Sequence, residues 1–210
     1  MSYLIIGSKG SMGKRYEAIF KYLKEPVVGV DKEISIKAIV DLAKDSDGII
    51  LATPTDTHYA FLMKLLPLGV SILCEKPITR DLQELSKILE VANKCKTPLT
   101  MVNQYRELVS EADMSHGLTE YDYFRTGSDG LAWDCLNIVG LAKDQINLKN
   151  KSPIWRCKIN GTSLKISDMD FAYVSMIRKW LKGQLRQAHE YIYTAHQKAE
   201  RLSHAYANRN

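Results

Sequence analysis

Leu4-Ile5-Ile6-Gly7-Ser8-Lys9-Gly10-Ser11-Met12-Gly13-Lys14-Arg15 is the stretch that decides the fold of this chain. A short apolar run stops at Gly7, and a helical pattern starts at Ser11. Between them the backbone must turn tightly. Gly10 has no Cβ, so a phosphate can approach the main chain there, and Gly13 lets the new helix pack closely on the strand. The helix N-terminus adds free N–H groups and a partial positive charge, which together form an anion cradle. No G-K-[ST] closes the loop: Gly13-Lys14-Arg15 lacks the hydroxyl that holds Mg²⁺, so ATP hydrolysis is not expected.

Outward from this loop, short β-branched runs alternate with helical patterns. The strands are expected at Tyr3–Ile6, Val27–Val30, Gly48–Ala52, Ser71–Cys74 and Leu99–Val102. Such continuous apolar runs suit strands buried on both faces. Helices are expected at Ser11–Leu23, Ile34–Lys44, Thr57–Leu66 and Asp81–Lys94, the last capped by Thr79 or Asp81. Strand–helix alternation implies parallel strands and right-handed crossovers, hence a doubly wound parallel α/β sheet of the Rossmann kind. Asp31 ends the second strand. An acid there can accept both ribose hydroxyls of an adenosine, which makes the expected ligand a dinucleotide and favours NAD. Lys9, Lys32 and Arg15 lie close in sequence and could instead take the extra phosphate of NADP.

The pattern changes after about Gln104. A strand is expected at Tyr121–Phe124 and a helix at Leu131–Lys143. Ile154–Ile159 and Thr162–Ile166 alternate apolar and polar residues around Asn160-Gly161, a strong hairpin signal. A further helix is expected over Asp168–Lys182, with Ser167 or Asp168 as cap and Gly183 as stop. The tail from Gln184 to Tyr206 reads as one helix, with Leu185, Ala188, Ile192, Ala195, Ala199, Leu202 and Tyr206 at heptad spacing. Two roles are open for this seam: packing back on its own domain, or contact between subunits of a homo-oligomer. The chain thus divides into a dinucleotide-binding domain, residues 1–106, and a small α+β domain, residues 107–210, holding an antiparallel sheet and a long C-terminal helix.

Composition narrows the classes. The 210 residues are 45% hydrophobic and 25% charged, with a formal net charge of +5. That is the mix of a globular protein able to bury its own core. Lysines and arginines are interleaved with acids and form no basic stripe, so nucleic acid is not an expected partner. No apolar stretch approaches a membrane span, and the N-terminus has no basic leader, so no membrane association is expected. Cys74, Cys95, Cys135 and Cys157 stand far apart among apolar neighbours and read as buried free thiols, suited to the cytoplasm. His189 and His196 are two helical turns apart, ~10 Å by the helix rise, too far to share a metal unaided, and no metal site is expected.

Four segments resemble one family. They are the glycine loop through Tyr16, Ala52-Thr53-Pro54-Thr55-Asp56-Thr57-His58, Cys74-Glu75-Lys76-Pro77, and Met101-Val102-Asn103-Gln104-Tyr105-Arg106. In order and spacing they are similar to the Gfo/Idh/MocA family, the glucose-fructose oxidoreductase and inositol dehydrogenase group, closely over residues 1–106. The resemblance implies that Gly7, Ser8, Lys9, Gly10, Ser11, Met12, Gly13, Asp31, Lys32, Ala52, Thr53, Pro54, Thr55, His58, Glu75, Lys76 and Gln104 contact NAD or NADP. It implies that Lys76 stands beside the nicotinamide, where it can hydrogen-bond the reacting oxygen and stabilise developing charge. Beyond residue 106 the resemblance is in pieces. Gly127-Ser128-Asp129-Gly130-Leu131-Ala132-Trp133-Asp134 looks like the family's glycine-rich lead into a helix. Four residues on from Asp134, the family's proton-transferring histidine is replaced by Ile138.

The implied activity is an NAD(P)-dependent oxidoreductase that moves a hydride between the cofactor and a small polar hydroxyl or keto compound, such as a sugar derivative. Lys76 and Asp134 are then the expected catalytic residues, with Tyr105, Trp133 and Asn137 lining the substrate pocket. Ile138 cannot move a proton, and the second domain is short. These features motivate the alternative of a non-catalytic cofactor-binding protein. A pocket filled by Trp133 or Tyr123 would favour that alternative.

Overall fold

In the computed structural model, residues 2–109, 119–122, 131–143, 145–149, 156–185 and 187–207 are described. The apolar runs of the first half form β1 (Tyr3–Ile6), β2 (Val27–Val30), β3 (Ile49–Leu51), β4 (Ile72–Cys74) and β5 (Leu99–Met101). All pair in parallel, in the order β2-β1-β3-β4-β5. Every residue of β3, β4 and β5 is buried, which is why these strands are apolar without alternation. The chain leaves β1 toward β2 on one side and returns as β3 on the other. The sheet therefore reverses its order at the C-terminal ends of β1 and β3, the place where open α/β sheets bind ligands.

Helices α1 (Ser11–Leu23), α2 (Ile36–Lys44), α3 (Thr55–Leu65) and α4 (Leu82–Cys95) make the crossovers. Tyr16, Ile19 and Phe20 form the buried stripe of α1. Ser35 caps α2, accepting from the Ala38 N–H, and Asp81 caps α4, accepting from Gln83 and Glu84. Thr79 acts beside that cap, donating to Glu84 Oε2 at 2.7 Å. No helix among the described residues is long and apolar enough to cross a membrane.

The chain divides into two compact units, and the division is not a single cut after residue 106. One unit holds Met1–Val102 and Ile177–His189; the other holds Asn103–Met176 and Glu190–Asn210. Within the first unit, Trp180 and Gln187 fasten residues 177–189 to the earlier part of the chain. Trp180 donates its indole N–H to Ser71 Oγ at 3.1 Å and packs on the Tyr3 ring with centroids 5.6 Å apart. Gln187 pairs with the outer edge of β5 as a strand would: its Nε2 donates to Met101 O at 2.8 Å, and its Oε1 accepts from Met101 N at 2.9 Å. Gln184, Leu185, Gln187 and Ala188 are accordingly not helical, contrary to the expectation for the tail.

The second unit contains β6 (Thr119–Asp122), α5 (Leu131–Asp134), α6 (Leu136–Leu141), β7 (Ile146–Lys149), β8 (Arg156–Ile159) and β9 (Thr162–Leu164). It also holds most of α7 (Met169–Leu181) and α8 (His189–Ala207). Its sheet runs β7-β6-β8-β9. The expected antiparallel sheet is in fact mixed, because β7 pairs with β6 in parallel. The expected hairpin is present: Asn160 (φ 48°) and Gly161 (φ 91°) turn β8 into β9. The Asn160 side chain ties this turn down, accepting from Lys143 N at 2.9 Å and donating to Leu141 O at 3.0 Å. The single expected helix over Leu131–Lys143 breaks at Cys135.

The central part of the tail's heptad seam is covered within the second unit. Ile192, Ala195 and Ala199 are fully buried, and Tyr191 and Leu202 pack on the core built by Tyr105, Tyr121, Ile138, Val139 and Ile159. Packing back on the domain is thus the role that Ile192, Ala195 and Ala199 play. All four cysteines are free; Cys95 is partly exposed and the other three are buried. Residues Gly127–Gly130, Tyr123, Phe124, Ile154 and Trp155 lie outside the described residues.

Candidate dinucleotide site

The switch point of the sheet is built from backbone first. Gly7 ends β1 with φ +89°, and a Cβ there would lie 2.6 Å from Ala52 O. A Cβ on Gly13 would lie 2.2 Å from Gly7 O and 2.6 Å from Ser8 Cα. These two glycines let the loop, the Ala52 turn and α1 close on one another. The N–H groups of Gly7 and Ser8 are used in this closure, both donating to Val30 O at 2.8 and 3.1 Å. Gly10 is the N-cap of α1 and brings no capping side chain. The first-turn N–H groups of Ser11, Met12 and Gly13 therefore have no side-chain acceptor at the cap, the arrangement that receives a phosphate.

A cleft of about 760 Å³ opens at this point. Gly7, Gly10, Ala52, Thr53 and Pro54 form its floor, and Lys9, Asp31 and Lys32 its polar rim. Ile34, Ile36, Ile39, Thr57 and Phe61 complete the wall. Ile34 and Ile36 are 37% and 43% exposed, uncovered apolar groups beside an acid. The Asp31 carboxylate is fixed by two main-chain donors, Lys32 N to Oδ1 at 2.8 Å and Lys9 N to Oδ2 at 2.9 Å. These bonds hold its carboxyl below the usual range, the Lys32 bond contributing most. Lys9 also reaches Glu33, with Nζ–Oε1 at 2.7 Å.

The Ala52–His58 turn supplies the third side. Thr57 Oγ1 donates within reach of Thr53 Oγ1 (2.8 Å) and Pro54 O (2.7 Å), which fixes the turn into α3. His58 faces the interior, not the cleft. It is 1% exposed; Nε2 lies 2.8 Å from Thr53 O, and Nδ1 lies 3.0 Å from Pro77 O and 3.2 Å from Ile78 O. Its place is to pin the turn after β3 to the segment after β4. Glu75 is likewise internal: Oε1 accepts from the Tyr16 phenol at 2.5 Å and Oε2 from Lys76 N at 3.1 Å. The direct ligand contacts expected of His58 and Glu75 are thus replaced by contacts that hold Thr53 and Lys76 in place. Lys76 itself is partly buried, at the start of the turn that follows β4.

Gln104, Tyr105, Trp133, Asp134 and Asn137 all belong to the second unit. There Asn137 Nδ2 donates to Gln104 Oε1 at 3.0 Å, and Asn103 Nδ2 donates to Asn137 O at 3.2 Å and to Tyr191 Oη at 2.6 Å. The Arg106 guanidinium stands over the Tyr191 ring, 5.5 Å from its centre. Asn103 Oδ1 is buried with no hydrogen-bond partner among the described residues. Burial pushes the Tyr105 phenol well up, and its oxygen lies 3.3 Å from that of Tyr121. Trp133 is 6% exposed and packs on His196, ring centres 6.0 Å apart. Tyr105 and Trp133 are therefore core groups of this unit, where a substrate-lining role was expected. Asp134 is partly buried, and Ile138 lies in the core at 1% exposure.

Glu33, Ile34, Ile36, Ile39 and Phe61 were not anticipated from the sequence. For Glu33, Ile34 and Ile36 the signal was the run Glu33-Ile34-Ser35-Ile36 just after Asp31-Lys32, two isoleucines at the mouth of a polar loop.

The parallel sheet, the glycine loop and the cleft at its switch point define a dinucleotide-type Rossmann unit. Residues 24–104 match the family described as oxidoreductase family, NAD-binding Rossmann fold (GFO_IDH_MocA), so this stretch is similar to the Rossmann domain of that family. Inositol 2-dehydrogenase of Rhizobium meliloti (strain 1021) is 35% identical over 60 residues, which are 29% of this chain and 18% of that protein. The matched segments span less than a quarter of the first three curated relatives, 18%, 14% and 22%. Among solved structures, the WlbA (WbpB) dehydrogenase of Thermus thermophilus, in complex with NAD and UDP-GlcNAcA, superposes with TM-score 0.71 at 16% identity. That match covers 96% of this chain and 94% of the other. UDP-N-acetylglucosamine 3-dehydrogenase GnnA of Acidithiobacillus ferrooxidans gives TM-score 0.73 at 15% identity, covering 95% of each chain. At these identities the likeness is one of fold.

Proposed function

We propose that this chain binds NAD or NADP in the cleft at the switch point and works as an oxidoreductase on a small polar hydroxyl or keto compound of the polyol or sugar type. The observation that carries the proposal is the cleft: an uncapped helix N-terminus, a fixed carboxylate and an apolar wall in one concavity. The pyrophosphate would lie on the first turn of α1, against Gly10 and Ser11. The adenosine ribose would meet Asp31, and the adenine would lie against Ile34 and Ile36. A bound nicotinamide supplies or takes up the hydride. Lys76 would hold the reacting oxygen and stabilise its charge, while Glu75 and Tyr16 keep its backbone in register. Asp134 is the proposed acid or base. The setting would be cytoplasmic.

A second reading, a non-catalytic dinucleotide-binding protein, is favoured by one observation. The family's histidine position is Ile138, in the core, and Trp133 beside Asp134 is packed on His196. Both readings share the cofactor and differ in turnover. The test is a screen of polyols, sugars and sugar nucleotides with NAD⁺ and NADP⁺, following reduced nicotinamide by absorbance. Turnover that Lys76→Ala removes while dinucleotide binding persists supports the enzyme. Tight cofactor binding without turnover on any of these classes supports the binder.

A further inference from the structure

Lys9 is the one residue of the glycine loop that carries a cation to the ribose rim of the cleft. Its main chain and side chain are both committed, and to different acids. The backbone N–H donates to Asp31 Oδ2 at 2.9 Å, and Nζ pairs with Glu33 Oε1 at 2.7 Å. Asp31 is engaged through both oxygens by main-chain donors, so it cannot swing away to admit an anion without breaking two bonds. The rim thus holds two lysines, Lys9 and Lys32, and two carboxylates, Asp31 and Glu33. Its charge balances only because Glu33 is present.

We propose that Glu33 sets the choice of dinucleotide in this site by pinning Lys9, so that the chain takes the cofactor with a free 2′-hydroxyl and rejects the one with a 2′-phosphate. This rests on the dinucleotide reading given above. The pair is exposed, with side chains 66% and 52% accessible, so it adds little to folding stability. Its effect on an arriving phosphate is different in kind. A phosphate monoester brings nearly two charges, and Glu33 both repels it and withholds the Lys9 cation from it. Removing one charge about 6 Å from such a group in a largely aqueous setting changes affinity about tenfold. Asp31 still faces the ribose hydroxyls in the variant, so NADH binding changes little.

The experiment is a titration of the full chain with NADH and with NADPH, at low and at high salt, for the wild type, Glu33→Gln and the double variant Lys9→Gln/Glu33→Gln. Expected are wild-type preference for NADH and a gain of about tenfold in NADPH affinity in Glu33→Gln with NADH nearly unchanged. The gain should be lost in the double variant and reduced at high salt. An unchanged NADPH:NADH ratio in Glu33→Gln, or a wild type that prefers NADPH, overturns the assignment while leaving the dinucleotide site standing. Failure of the wild type to bind either cofactor overturns the dinucleotide reading itself, and this inference with it.

Discussion

The Tyr16 phenol on α1 donates to the Glu75 carboxylate at 2.5 Å, and both groups are buried, at 0% and 8% exposure. The other Glu75 oxygen accepts from Lys76 N at 3.1 Å. One hydrogen-bonded line therefore runs from the helix that presents its N-terminus to the cleft to the residue proposed to hold the reacting oxygen. Tyr16→Phe leaves Glu75 Oε1 buried and short of a donor. The expected loss is roughly 1–3 kcal/mol in denaturant unfolding. Once turnover is found, kcat should fall with little change in dinucleotide affinity, because Lys76 is loosened and the cleft is untouched.

Two alanine substitutions in the loop should separate packing from binding. In Gly13→Ala the new Cβ meets backbone at 2.2 Å, so α1 or the loop must move. A stability loss of about 1–3 kcal/mol is expected, read by thermal unfolding. In Gly10→Ala the nearest atom is Gly7 O at 3.3 Å, a contact the fold accommodates with a small shift. Its melting temperature should stay near the wild type, while the methyl group at the cleft floor weakens dinucleotide binding about tenfold or more. Equal loss of stability in both variants would contradict this division.

Asn160 combines a turn conformation with a buried side chain, and the two can be pulled apart. Asn160→Gly keeps the positive φ but removes the bonds to Lys143 N and Leu141 O. Roughly 1–3 kcal/mol should be lost, because two main-chain groups lose their partner. A neutral result would mean that the turn alone anchors β8 and β9.

His196 makes the second unit sensitive to acid. Burial lowers its pKa from the ordinary 6.5 to about 4, with the Ile192 carbonyl opposing the shift. The unfolded chain then binds a proton that the folded chain refuses between those two values. The stability held above pH about 6.5 is lost progressively as the pH falls toward 4. The span corresponds to a few kcal/mol, on the order of 3. Unfolding midpoints measured between pH 7 and 4.5 should fall more steeply for the wild type than for His196→Phe. Parallel curves would remove His196 from the account.

Much of the first unit was legible in the sequence. β1, β2 and α1 have the expected bounds: β1 is a continuous apolar run because it is buried, β2 keeps its β-branched run although it is a half-exposed edge strand, and the glycine loop marks the turn after β1. β7 was missed because Ile146-Asn147-Leu148-Lys149 alternates over only four residues and its parallel pairing leaves no local turn. The tail seam showed which face of α8 is apolar but not that α6 and the small sheet cover it. At the site, the motifs supplied residue types without direction. His58 and Glu75 turn inward because their polar atoms meet the Thr53, Pro77 and Ile78 carbonyls and the Tyr16 phenol, contacts 5 to 59 residues distant in sequence. The Lys9–Glu33 pair spans 24 residues and was likewise invisible to local pattern.

The most direct test of the central claim is equilibrium titration of the purified chain with NADH and NADPH, followed by nicotinamide fluorescence and repeated with the oxidised forms by calorimetry. The account predicts saturable binding at one site per chain, stronger for NADH and weakened in Gly10→Ala. Absence of binding by all four forms, in a protein shown to be folded, would contradict it.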